Sequence, residues 1–174
     1  MAPEPEVHYC AKTLYVPNSK KPILVYRNVL PEPYSEETAK EFLEKNQWLK
    51  GGVWGAYTQQ HFHPNTHECY GVLRGSSTLL LGVGPLDNED SGTMITVNTG
   101  DAIILPAGVS HCSKDSQDGY RYIGVYPKGS PHWKSEYCQD KERCEMLNEE
   151  AEAVPIPQWD PVIGYNGPLS RLWS

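Results

Sequence analysis

Between Val53 and Pro127 the chain runs in short apolar stretches, each broken by glycine, proline or a polar turn. The runs are Trp54–His63, Glu68–Arg74, Thr78–Val83, Met94–Val97, Ala102–Leu105, His111–Ser113 and Tyr120–Tyr126. Short strands at regular intervals predict an all-β sandwich or barrel. The segment GPLDNEDSGT reads as a solvated hairpin loop.

The flanks carry other patterns. Thr13–Val16 and Ile23–Tyr26 read as two further strands around the turn-rich PNSKKP. The stretch PEPYSEETAKEFLEKNQW predicts one helix, with Ser35 as N-cap, Glu36 and Glu37 at its positive end, and Ala39, Phe42 and Leu43 as its apolar stripe. Gly51–Gly52 is expected to end it. Asp140–Glu152 predicts a second helix with Cys144, Leu147 and Ala151 on one face. The tail VPIPQWDPVIGYNGPLSRLW has too much proline and glycine for regular structure and is expected to lie as an extended strap on the barrel wall. One domain over 1–174 accommodates all of this: strands and helix over 1–52, barrel core over 53–127, helix and strap over 128–174.

Composition narrows the function classes. Glycine and proline, 15 of each in 174 residues, fit a turn-rich β fold. A formal charge of −7 with no dense Lys/Arg cluster argues against nucleic acid and against an anionic membrane surface as partner. No stretch reads as a transmembrane helix or a signal peptide. The five scattered cysteines, an odd count without CxxC spacing, point to reduced thiols and a cytoplasmic location.

The chemistry is concentrated in two stretches. In residues 55–75, strand alternation puts His61 and His63 on one face, together with Tyr57 and Gln59. Pro64–Thr66 turns the chain, and Glu68 opens the returning strand with Tyr70, Val72 and Arg74, so the hairpin brings two imidazoles and a carboxylate to one pocket. In residues 100–111, two tight turns flank the buried strand Ala102–Leu105 and lead into His111. Three imidazoles and one carboxylate suit a single divalent transition metal ion, Fe, Mn, Ni, Cu, Co or Zn. The absence of thiolates argues against a structural zinc site. Such a set leaves coordination positions open to substrate, water or oxygen.

Both stretches resemble the two motifs of the cupin superfamily. The first is Gly55, five residues, His61-x-His63, four residues, Glu68, six residues, Gly75; the second is Gly100, five residues, Pro106-x-Gly108, two residues, His111. Carried over, the resemblance implies His61, His63, Glu68 and His111 as metal ligands. Asp115 stands where the second motif usually ends in Asn, a position that is not a ligand. HECYGVLRG, LPAGVSH, VYPKG and DPVIGYNGPLSRLW extend the similarity to the YjlB-like group of small monocupins. The fold implied is a double-stranded β-helix, the cupin jelly-roll barrel, with one helix before it and a short helix plus extended tail after it.

Other residues divide between packing and chemistry. Gln59 and Tyr57 are candidates to orient a substrate, and Tyr122 and Tyr126 are candidates for the lining. His67, next to Glu68, points away from the metal in a strand register, toward a supporting or surface role, with ligation as the alternative. His8 and His132 read as surface residues, and Cys69 and Cys112 face away from the ligands. The expected function is a metal-dependent enzyme on a small oxygenated organic substrate, by dioxygenase, decarboxylase or isomerase chemistry, with Glu68 as proton acceptor. The alternative is a non-catalytic metal-containing cupin that binds a small ligand. Cupin barrels commonly pair, which makes a homodimer the expected assembly.

Overall fold

The computed structural model describes residues 1–174. Its elements run β1 (Glu6–Cys10), β2 (Ser19–Tyr26), α1 (Glu36–Lys45), β3 (Trp48–Trp54), β4 (Glu68–Leu81), β5 (Thr93–Asn98), β6 (Ala102–Leu105) and β7 (His111–Pro127). The C-terminal part adds α2 (Cys144–Glu152), β8 (Trp159–Asp160), β9 (Gly164–Tyr165) and α3 (Pro168–Leu172).

The barrel is antiparallel and built around two long strands. On one side β4 pairs along nearly its whole length with β7; on the other, its first residues pair with β6 and its last with β5. The main path runs β1-β2-β6-β4-β7-β3, so the N-terminal strands extend the same sheet as the motif strands. The β4–β7 register slips around Arg74, and Gly75 takes φ +67 there. A side chain at Gly75 would also collide with the carbonyl of Gln117. Only glycine tolerates both constraints, and the bend lets one pair of strands serve two faces of a jelly roll.

Alternation assigns the two faces. Ile23 and Val25, Tyr70 and Val72, Ile95 and Val97, and Ile103 and Leu105 share one buried cluster inside the barrel. Their neighbours Leu24, Cys69, Ile104 and Val125 belong to a second cluster outside the sheet, with Ala39 and Leu43 of α1 and Leu169 and Trp173 of the tail. Burial on both faces explains why β2 and β6 read as continuous apolar runs. Truncating one such side chain to alanine costs about 2–5 kcal/mol.

Several local expectations are corrected. Thr13–Val16 is a turn, closed by the Thr13 hydroxyl accepting from the Tyr15 and Val16 N–H groups. The N-terminal strand is Glu6–Cys10 instead. Helix α1 starts as expected, Ser35 Oγ accepting from Thr38 N at 3.1 Å, but ends at Lys45 because Gln47 turns left-handed at φ +67. Gly51 and Gly52 lie within β3, where any side chain would strike the rings of Tyr126 and Trp54. The tail is no plain strap: it forms the β8–β9 ribbon and α3 around Asp160. That buried carboxylate accepts from Tyr26 Oη (2.6 Å) and from the N–H groups of Val162, Ile163 and Leu169. Helix α2 buries Cys144, Leu147 and Ala151 as expected. No helix is long and apolar enough to cross a membrane.

Candidate metal centre

Glu68 opens β4 directly across the β4–β6 ladder from Leu105, and its alternation partners Tyr70 and Val72 point into the barrel. His111 opens β7. His61 reaches it by two backbone bonds, His111 N to His61 O at 2.9 Å and His61 N to His111 O at 3.3 Å. Phe62, between the two histidines, turns away into a cluster with Val16, Cys138 and Leu147. His61 and His63 therefore face the same side, and the nitrogens of His61, His63 and His111 come within 4.8 Å of one another. Glu68 Oε1 lies 3.1 Å from His111 Nε2 and 3.4 Å from His63 Nε2, and all four side chains are buried.

The backbone fixes how these rings present themselves. Nδ1 of His61 lies 2.9 Å from Gln59 O, Nδ1 of His63 2.7 Å from Lys134 O, and Nδ1 of His111 3.0 Å from Val109 O. A carbonyl only accepts, so each Nδ1 carries the proton and Nε2 of a neutral ring is left as a lone pair facing the others. For neutral rings this sets acceptor against acceptor, lone pairs against the Glu68 carboxylate, an arrangement that calls for a cation between them. Burial pushes His61 down to about 3, helped by His111, which disfavours a proton there. Burial also opposes a charge on His63, but Glu68 outweighs it and raises that ring. Burial works to raise Glu68, yet His63 and His111 hold it below the usual carboxylate range. With all three rings neutral, their nitrogens and the one carboxylate fit a borderline divalent ion, and the residues present could hold one.

Above the ligands opens a cavity of about 280 Å³. Tyr70, Tyr122 and Tyr126 reach it from the strands, the first two stacked at 3.8 Å. The Tyr126 hydroxyl donates to Glu68 Oε2, leaving Oε1 toward the histidines. The opposite wall comes from chain outside the ladder: Tyr57, whose ring lies 4.5 Å from that of His61, and Trp133, Ser135 and Tyr137. Asn65 holds this outer segment, donating to His132 O and accepting from Lys134 N, both at 2.9 Å.

The structure brings together the four predicted ligands, Tyr57, and the Tyr122 and Tyr126 whose register the sequence left open. Gln59 departs from expectation. The strand expected over Trp54–His63 stops at Trp54, so alternation does not carry back from His61; the Gln59 side chain is exposed and only its carbonyl serves the site, on His61. A register slip after Val72 likewise removes Arg74, which donates to Gly119 O instead. His67 does point away from the ligands, but it is buried rather than on the surface. Its Nδ1 accepts from Ala107 N at 2.9 Å, its Nε2 donates to Pro155 O at 3.1 Å, and its ring packs on Trp173. Burial pushes it down to about 4, so it is a neutral tie between barrel and tail. Cys69 and Cys112 are free and belong to clusters away from the cavity. Trp133, Tyr137 and Asn65 were not foreseen, and no spacing in the sequence points to them.

These features define an antiparallel jelly-roll barrel with a candidate metal centre of three histidines and a glutamate. The chain is similar to the uncharacterized protein YjlB of Bacillus subtilis, 28% identical over 152 residues, covering 87% of this chain and 86% of that protein. No family model matches. Among solved structures it resembles RmlC from Streptococcus suis in complex with dTDP-D-xylose, at 11% identity and TM-score 0.36 over 73% of this chain and 74% of that one. It also resembles procruciferin, the 11S globulin from Brassica napus, at 12% identity and TM-score 0.38 over 56% of this chain, which spans only 29% of procruciferin.

Proposed function

We propose that this protein is a metal-dependent cupin enzyme acting on a small oxygenated organic molecule. The observation that carries this reading is the convergence of three backbone-oriented imidazoles and one carboxylate at the floor of an open cavity. A divalent ion held by His61, His63, Glu68 and His111 would supply Lewis-acid stabilisation of negative charge developing on a substrate oxygen. The protein's own groups do the rest. Tyr126 holds Glu68 by Oε2, Tyr70 and Tyr122 exclude water from one side, and Tyr57 and Ser135 offer hydroxyls beside the ligands. In this reading Glu68 would also serve as the proton acceptor for a bound substrate. The reaction classes in keeping with such a site are dioxygenation, decarboxylation and isomerisation.

The test has two parts. Elemental analysis of protein purified without added metal is expected to find one transition metal ion per chain. Oxygen uptake and product analysis on that protein, with catechols, diketones and hydroxy acids, is expected to find turnover that Glu68→Gln abolishes. Turnover undiminished in Glu68→Gln would refute the proton-acceptor role. Metal without turnover on any substrate would leave a binding protein for a small ligand in place of the enzyme.

A further inference from the structure

Which ligand the cavity takes can be read from its walls. Seven of its eleven lining residues are aromatic, and the rest are His61, His63, Glu68 and Ser135. No lysine or arginine reaches it. On the outer segment, Lys134 pairs with Glu150 and Arg143 with Glu136. The rings are not simply core. Tyr57 is 38% exposed and Tyr137 41%, and Trp54 and Trp133 are half-buried, so several stand around an opening that nothing in the fold fills.

From this we infer that the ligand is a single planar ring, aromatic or enolic, carrying no more than one acidic oxygen, held among the rings of Tyr57, Tyr137 and Trp133 at the opening. The inference rests on the metal reading above in two respects: the acidic oxygen is directed at the histidine cluster, and the charge the site tolerates is counted with the ion in place. Charge decides against the alternatives. A phosphate ester or a dicarboxylate would bring two or more negative charges beside the buried Glu68, with no cationic side chain to offset their desolvation. One divalent ion and Glu68 together leave a single positive charge, which one ionised hydroxyl neutralises. Tyr126 and His132 both stack on Trp133, at 4.6 and 4.1 Å, and Trp54 meets it edge-on at 5.9 Å, so Trp133 is a rigid post of the wall, while Tyr57 and Tyr137, outside any stacked pair, offer ring surface to a flat ligand. Size agrees, since about 280 Å³ falls just below the ~300–1,000 Å³ of drug-sized ligand pockets, room for one small ring.

The test is isothermal titration of the purified protein with 4-nitrocatechol, phosphoenolpyruvate and D-xylose, alongside its metal content. 4-Nitrocatechol supplies the planar ring and one readily ionised hydroxyl, phosphoenolpyruvate the excess charge, and D-xylose a non-aromatic ring. 4-Nitrocatechol alone is expected to bind, with Trp133→Ala weakening it about tenfold. Tyr57→Ala, at an exposed position where folding is not at risk, is expected to weaken it less. Equal or tighter binding of phosphoenolpyruvate or D-xylose would overturn the inference, as would 4-nitrocatechol binding indifferent to both substitutions. Metal present without 4-nitrocatechol binding rejects the ring ligand and leaves the metal reading standing. Metal absent with ring-dependent binding intact does the reverse, and metal absent without binding rejects both.

Discussion

The two walls of the cavity are built by opposite means. Glu68, Tyr70, Tyr122, Tyr126 and His111 stand on β4 and β7, strands laced together by a ladder from Cys69–Val125 to Leu81–His111. His61, His63, Tyr57, Trp133 and Tyr137 stand on chain that belongs to no extended strand. That wall is held by the His61–His111 and Phe62–Glu136 bridges, by Asn65, and by Phe62 set against Cys138 and Leu147. One wall is positioned by the fold as a whole and the other by a few local bonds, so the second belongs to the part of the molecule that opens first. Two of the four ligands lie on each wall, and a metal held by all four would tie them together.

Removing a ligand should have the largest effect. His111→Ala on the strand wall and His61→Ala on the other are both expected to lower metal affinity by more than ~100-fold, beyond what loss of a supporting hydrogen bond costs. Elemental analysis and metal titration would measure this, with circular dichroism showing the barrel intact. If His61→Ala kept its metal while His111→Ala lost it, the strand wall alone would be the site.

The ligands were readable on both walls. The spacings around His61, Glu68 and His111 are local, and a barrel strand obeys a two-residue period that needs no knowledge of distant chain. The same rule misplaced Gln59 because it presumed a ladder before His61 that never forms; the backbone there is spent on single bridges. Gly51 and Gly52 read as a helix stop because glycine marks turns most often, whereas here its missing side chain admits the rings of Tyr126 and Trp54. His67 bonds to Pro155, 88 residues on, and Trp133 reaches the cavity only after the chain beyond β7 folds back over it. Neither partner leaves a mark at its own position in the sequence.

Phe62→Ala attacks the local wall from behind without touching a ligand. The side chain is 1% exposed, and its loss should cost about 3–5 kcal/mol where the site can relax little. Amide exchange is expected to accelerate across residues 131–143 while β4 and β7 keep their protection. Acceleration spread evenly over the barrel would mean the two walls open as one unit.

Tyr126→Phe tests the strand wall with a smaller change. It removes one hydroxyl from Glu68 Oε2 and leaves the ring on Gly51. Metal affinity is expected to fall about tenfold, with the melting temperature nearly unchanged, because only the orientation of one ligand is loosened. A fall in stability without a change in metal affinity would make Tyr126 a packing residue only.

Asn65→Ala should have the smallest effect and separate the walls most cleanly. Its amide makes two bonds, to His132 O and from Lys134 N, at a partly exposed position where water can replace both. At about 0.5–1.5 kcal/mol each, their loss should lower stability by no more than ~3 kcal/mol, all of it in the outer segment. Lys134 is also the residue whose carbonyl orients His63, so the cost should pass to the site. Metal affinity should fall a few-fold while the Glu68–Tyr126 geometry stays intact, and added metal should restore protection to the Glu136 amide, which donates to Phe62 O. If metal left that exchange unchanged, His63 would be held by the barrel alone, and the distinction between the two walls would not extend to the ligands.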